Sequence, residues 1–409
     1  MTIKNVLIKV SLYCFIIASV TGFIASLKVA LPTADSEWID FRKIRPLHTF
    51  LALSAQIAGL LGLAQYILGR YGASPAKARS YVFTAFIVAG GVAILAGYYS
   101  GREYITWPVY LTPLLLTPVL ANIFRLFRSG KALSAANPEG FWLLVSGHLF
   151  IVGGVVESHF WLIPSVGGNF VKDLTVQWHG IDTFIAGINI SLYGVSVFLL
   201  NQQPKPLRNR WLYVIALFSL LFTFGHHHYV SPQPFSLKIL ALAASMVAVL
   251  SLLKHTKEYK KQIRKKTGKD ALHRLITAIT FWMMISISSG ILFAIPHVNL
   301  YVHGTYWIVA HAMSAMIGTN MLIIISGAYL LAGNAETPKP GLNTGIALTN
   351  AGLAVLWLSA GAAGIIRGFE RVESDYLAYY HKIECVMYGF PVAGLLLIAG
   401  LYLMLRRLR

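Results

Sequence analysis

The sequence predicts an all-α integral membrane protein, a bundle of twelve transmembrane helices, and three observations carry that expectation. The first is composition: the 409 residues are 56% hydrophobic and only 12% charged, with a mean hydropathy of +0.64, outside the range of soluble globular chains. The second is spacing, because apolar runs of the roughly 20 residues a bilayer demands follow one another at even gaps that leave no room for a soluble domain. The third is charge. The net +19 is distributed over short gaps between apolar runs, which argues for membrane topology and against a nucleic-acid surface.

Taken in order, span one, 6–28, ends at SLKVALPTAD without a small-residue cleavage site and is long enough to cross, so it reads as a retained helix and not as a removed signal. Spans two to six are expected at 46–69, 80–99, 105–127, 139–163 and 175–201. Spans seven to twelve are expected at 209–230, 236–254, 272–295, 303–331, 343–367 and 379–406, and the whole chain, 1–409, is one polytopic membrane domain. With the N-terminus in the cytoplasm, the inner segments include GRYGASPAKARS, RLFRSGK, QPKPLRNR, the run 254–274, the turn with Lys339 and the tail RRLR. Together with Lys4 and Lys9 they hold 24 of the 34 Lys and Arg. The outer side keeps ten, beside Asp35, Glu37, Asp40, Glu370, Glu373 and Asp375, so the positive-inside bias places both termini in the cytoplasm. The run 254–274 reads as a solvated inner loop, with contact to anionic lipid as its second reading. Cys14 and Cys385 lie in apolar runs and read as packing residues.

The stretch FTFGHHHYV, 223–231, closes an almost uncharged span with three histidines. In the predicted topology His48 and His179 lie just inside the outer ends of spans two and six. His226 and His227 close span seven at its outer end, and His311 sits about two turns into span ten. Five histidines on four spans therefore share one depth in the outer half of the membrane, where ligating or ionisable groups are costly and usually functional. Each alone has a structural reading as a satisfied core or interfacial histidine; the shared depth favours function. Neighbouring residues project about 100° apart on a helix, so at most two of the three adjacent histidines face one point. His226 and His227, with His179, supply three imidazoles to a single copper or non-haem iron and leave positions open for chemistry. His228 is expected to be partly exposed and non-ligating. On span ten, His311 and Met313 project about 200° apart, so one helix can ligate two haems. His48 supplies the other axial ligand of one haem, and His311 holds the second alone. For Met313 the alternative is simple packing.

With these residues in place the chain resembles the catalytic subunit of the haem–copper oxidase superfamily. The resemblance rests on the twelve spans, on histidines of spans two and six, on the GHH-Y element of span seven and on the histidine of span ten. The intervals are similar too: 47 residues separate His179 from His226, and 85 separate His226 from His311. It implies two b-type haems, a low-spin one on His48 and a high-spin one on His311, with the non-haem metal, iron or copper, on His179, His226 and His227. It also implies Arg367 and Arg371 near haem propionates, His303 near the same groups, and a bacterial or archaeal cytoplasmic membrane as location.

Two departures bear on function. The family has His-x-His on span ten, and Met313 stands at the second position; a His48/Met313 pair raises the haem potential. Oxygen-reducing members commonly carry a tyrosine four residues after the histidine of span six, where this chain has Thr183, and Tyr213 lies too far along span seven to replace it. The resemblance thus points to the nitric oxide reductase-like branch, which places acidic residues near a non-haem iron. Asp182 is the candidate for that role, and its alternative is a protonated carboxyl hydrogen-bonded between helices. Glu157 and His159 are candidates for a proton path, with an interfacial ion pair or cap as the alternative, and His148 reads as a core histidine. The expected substrate is a small gas, NO or O2. Electrons are expected from a partner subunit carrying a c-type haem or copper on the outer face. A metal-free transporter or assembly protein with the same bundle is the rival from another class.

Overall fold

The structure, a computed structural model, describes residues 5–31, 40–72, 77–199, 210–229, 234–266, 271–332, 341–370 and 376–406. Among these every regular element is helical. In chain order they are α1 (Val6–Ala30), α2 (Phe41–Arg70), α3 (Lys77–Leu95), α4 (Thr112–Arg128), α5 (Gly130–Ala136), α6 (Pro138–Glu157), α7 (Pro164–Gly167), α8 (Phe170–Leu199) and α9 (Arg210–Ser219). They continue with α10 (Phe235–Lys266), α11 (Ala271–Ala294), α12 (Pro296–Val302), α13 (Trp307–Ala315), α14 (Leu322–Leu331), α15 (Leu342–Phe369), α16 (Tyr376–Met387) and α17 (Gly389–Arg406). Ten helical segments among the described residues are long and apolar enough to cross a membrane, and Val214–His228 and Phe235–Leu250 are shorter apolar stretches of largely helical chain.

The chain forms two compact units. The first comprises Met1–Ala18, Pro46–Phe224 and Ile323–Asn334; the second comprises Ser19–Arg45, Gly225–Leu322 and Ala335–Arg409. In the first, α6 and α8 pack backbone to backbone on glycines seven residues apart: Gly140, Gly147 and Gly154 face Gly180, Gly187 and Gly194. A Cβ on Gly147 would stand 2.6 Å from the Ser191 nitrogen and 2.7 Å from the Gly187 oxygen, and one on Gly187 would stand 2.6 Å from the Ile151 nitrogen. Small residues permit this approach where lipid supplies no hydrophobic drive between helices, and a seven-residue spacing keeps them on one face. His148 lies in this seam, fully buried, with Nδ1–H donating to the Leu144 carbonyl at 2.8 Å, as a core histidine should. Beside it, Phe50, Phe86, Trp107 and Phe184 form a chain of ring contacts with centroids 5.3, 5.4 and 6.3 Å apart.

In the second unit α15 and α17 use the same device. Cβ atoms on Gly345 and Gly352 would stand 2.8 Å from the Gly400 oxygen and 3.0 Å from the Ala393 oxygen. Tyr380, Ile383, Met387 and Phe390 pack with Ala310, Ala360 and Ala363, and the Tyr380 hydroxyl donates to the Ala30 carbonyl. At the mouth of α2, Asp40 accepts the Arg42 N–H at 2.9 Å. The Arg42 guanidinium beside it holds the Asp40 carboxyl below the usual range.

The structure corrects several boundaries. Span seven is not one helix: α9 stops at Ser219, a turn follows, and Thr223–His228 is a 3-10 segment. There the Ser219 and Thr223 hydroxyls bond back to the Ala216 and Leu220 carbonyls, and the sequence that follows, Gly225 and three adjacent histidines, is poor in α-helix formers. Span ten is expected from 303 but begins at Trp307, because Gly304 has φ +72°, which only glycine adopts cheaply; a π-helical turn, Met316–Met321, then separates α13 from α14. The basic run is no loop as far as Lys266, where α10 ends, as suits Lys-, Glu- and Gln-rich sequence without glycine or proline. His228 is 1% exposed, not partly exposed, and Cys385 is exposed while Cys14 is buried. Arg371, Asp35, Glu37, Glu373, Asp375 and Lys339 lie outside the described residues.

Candidate functional site

In the first unit, His48 sits about two turns into α2, half-buried, and its Nδ1 lies 2.8 Å from the Ala18 carbonyl. A carbonyl only accepts, so Nδ1 carries the proton and Nε2 is the lone-pair nitrogen. His179, on α8, has Nδ1 2.5 Å from Glu157 Oε2 at the end of α6 and Nε2 3.0 Å from the Leu221 carbonyl. Its ring stands edge-on to Phe224 at 4.7 Å. Both ring nitrogens of His179 are therefore engaged, and ligation through Nε2 requires the Leu221 contact to be exchanged. One turn further along α8, Asp182 accepts a hydrogen bond from the Thr223 hydroxyl, which joins α8 to the 3-10 segment. His159 is separate from these. Its Nδ1–H donates to the Val155 carbonyl at 2.7 Å and its Nε2 lies 3.1 Å from the Thr112 hydroxyl, which also accepts the Trp107 indole N–H at 3.1 Å.

In the second unit, Phe293, 3% exposed at the end of α11, is a hub for four histidines. Its ring centroid is 5.0 Å from His226, 5.4 Å from His227, 5.7 Å from His303 and 6.5 Å from His311. The His226 and His227 rings are 4.3 Å apart and inclined by only 38°. His311 lies against bare backbone: a Cβ on Gly290 would stand 3.0 Å from its Cε1. Its Nδ1 is 3.0 Å from Ser289 Oγ, whose own proton points to the Ile285 and Ser286 carbonyls at 2.9 and 3.0 Å. The serine proton being committed, His311 Nδ1–H is the donor and Nε2 again keeps the lone pair. Met313 follows on the same helix, half-buried, and Arg367 sits half-buried in the last turn of α15. Within neither unit do the described residues bring three His, Cys, Asp or Glu close enough to hold a metal ion.

Sequence reasoning missed Phe293, Ser289, Gly290 and Asn299. Only the SSG of 288–290, small residues inside an otherwise bulky span, was a usable signal.

The family model of the cytochrome c and quinol oxidase polypeptide I matches residues 3–396. The chain belongs to that family. It is 23% identical over 362 residues to a cytochrome c oxidase subunit 1 homolog of Azorhizobium caulinodans, an alignment covering 79% of this chain and 64% of the relative. It is 20% identical over 412 residues to the cbb3-type cytochrome c oxidase subunit CcoN1 of Stutzerimonas stutzeri, covering 90% of this chain and 85% of that one. A cryo-EM structure of a heme-copper terminal oxidase dimer shares the fold, with a TM-score of 0.63 at 14% identity over 99% of this chain and 84% of that one. The chain spans 64% of the length of the first of these relatives. As a polypeptide I family member with ten apolar helices of spanning length among its described residues, it is an integral protein of the cytoplasmic membrane.

The side chains suit the groups that such a fold holds. His48 and His311 are each held by a backbone or serine acceptor in the tautomer that keeps the lone pair on Nε2, the tautomer that a metal-bound imidazole with an outer hydrogen-bond partner requires. Glu157 meets His179 Nδ1 in a similar way, but the Leu221 carbonyl takes the Nε2 proton, so that ring is not held in the same tautomer.

Proposed function

We propose that this chain is the catalytic subunit of a membrane-bound terminal reductase, an oxidoreductase with twelve membrane crossings in one polytopic domain and both termini in the cytoplasm. Val214–His228 and Phe235–Leu250 complete the count of crossings. The observation that carries the reading is the pair of locked tautomers on His48 and His311. A metal-free transporter or assembly protein would gain nothing from fixing two intramembrane imidazoles with Nε2 as lone pair. In this reading His48 and Met313 hold a low-spin haem, His311 a high-spin haem, and His179, His226 and His227 a non-haem iron or copper; Arg367 and Arg371 face propionates. When bound, the haems, of b type, and the metal supply electrons and Lewis-acid positions for reduction of a small gas.

The reaction is 2 NO + 2 e⁻ + 2 H⁺ → N₂O + H₂O. Three residues support nitric oxide over oxygen: Thr183 where a tyrosine is usual, Asp182 held by Thr223 one turn from His179, and Glu157 on the His179 ring. Glu157 Oε2 holds the Nδ1 proton and aims Nε2; Asp182 provides a carboxyl at the same depth. His159, tied to Val155 and Thr112, fits the interfacial alternative better than a proton path. Oxygen reduction is the second reading, favoured by the names of the relatives, which are cytochrome c oxidase subunits and homologs. Electrons come from a partner with a c-type haem or copper docked on the outer face. The test is anaerobic turnover of the purified complex with NO, against O2 in a separate cell, together with haem and metal counts. Consumption of O2 alone sinks the nitric oxide reading, and a chain without haem sinks both.

A further inference from the structure

Asn299, in the short helix α12, is fully buried. Its Nδ2 donates to two carbonyls, that of His226 at 3.1 Å and that of Phe293 at 2.8 Å. Both acceptors are carbonyls, so the amide nitrogen must face them, and both its protons are used. Its Oδ1 accepts no hydrogen bond among the described residues. An amide buried at that cost therefore serves as a two-proton donor. What it links is specific. His226 carries the first ring of the adjacent pair, and Phe293 carries the ring against which both imidazoles pack.

A second staple lies three residues on. Tyr229 is 2% exposed, and its single hydroxyl proton is shared between the Ala294 carbonyl at 3.0 Å and the Lys238 carbonyl at 3.1 Å, while Lys238 Nζ donates to the Tyr229 carbonyl at 2.7 Å. The segment 226–229 is thus fastened at both ends to the 293–294 terminus of α11. One staple would leave it free to pivot; two fix its rotation. The need is physical. Residues on a 3-10 helix project about 120° apart, yet the His226 and His227 ring centroids lie 4.3 Å apart with their planes inclined by 38°, a proximity that a segment free to turn would not maintain.

We propose that Asn299 and Tyr229 are positioning residues of the metal centre, fixing the backbone of the 226–229 segment so that His226 and His227 converge on one ion. This rests on the ligand assignment above. The test compares Asn299→Leu and Tyr229→Phe with the unaltered complex. Iron and copper are counted per chain after timed exposure to EDTA, haem is counted separately by its pyridine adduct, and thermal unfolding is followed. The expected result is loss of non-haem metal roughly 10–100-fold faster in each variant, the range typical of outer-sphere changes. Haem content should match the unaltered complex in both variants, the unfolding temperature of Tyr229→Phe should stay close to it while that of Asn299→Leu falls as two buried carbonyls lose their donor, and Asn299→Gln should recover part of the retention. Metal loss unchanged in Tyr229→Phe overturns the proposal even where Asn299→Leu fails to assemble. An unaltered complex holding haem but no third metal overturns the ligand assignment, and this inference with it; retention that is normal and insensitive to both variants overturns this inference alone.

Discussion

Glu157 and His179 meet at 2.5 Å with side chains about one-fifth exposed, and two roles for the carboxylate make different predictions. If it orients the ring, Glu157→Gln keeps the shape but weakens the charge-assisted bond. Non-haem metal affinity should then fall roughly 10–100-fold, measured by chelator competition. If it only relays protons, turnover should fall with the metal fully retained. Met313 permits a similar separation. If Met313 ligates the low-spin haem as proposed, Met313→His replaces a thioether by an imidazole there, so the reduction potential should drop and the sulfur charge-transfer band should vanish from the near-infrared spectrum. A redox titration and spectrum that do not change would assign Met313 to packing.

The glycine seam of α6 and α8 works at the scale of the element. Gly147 and Gly153 lie on one helix, but a Cβ on Gly147 meets the α8 backbone whereas one on Gly153 meets nothing within 4 Å. Gly147→Leu should therefore destabilise the protein by about 1–3 kcal/mol or more by overpacking. Gly153→Ala should be neutral or slightly stabilising through helix propensity. Thermal melts in detergent with retained haem as readout check the contrast, and equal effects would contradict the seam. Element positions were largely legible because span length and hydropathy are averages over about 20 residues. What was illegible depends on neighbours distant in sequence or on single torsions. The break after Ser219 interrupts span seven, Gly304 delays α13, and the π turn after Ala315 leaves no mark on composition. The histidines were singled out in the sequence by residue type and expected depth. Phe293 and Asn299 did not, since a phenylalanine and an asparagine become specific only when three histidine-bearing segments fold around them.

Orientation belongs to the whole molecule. Moving Lys or Arg through the bilayer core costs about 2.5–3.5 kcal/mol per residue at the centre on insertion scales, so the excess of basic residues on one side is a kinetic and thermodynamic bias on every loop that must or must not cross. Lys131, between α5's first residues, and Lys257, on the basic end of α10, are exposed and fall on the predicted inner side. Lys172, at the start of α8, is exposed and falls on the outer side. In a background with Cys14→Ser and Cys385→Ser, which removes the exposed native thiol, Lys172→Cys should react with a membrane-impermeant maleimide added to intact cells. Lys131→Cys and Lys257→Cys should react only after permeabilisation. The three positions test the two units independently, since Lys131 and Lys172 belong to the first and Lys257 to the second. The reverse labelling pattern would put the histidines in the inner half of the membrane, and the electron-donating partner would then have to dock on the cytoplasmic face.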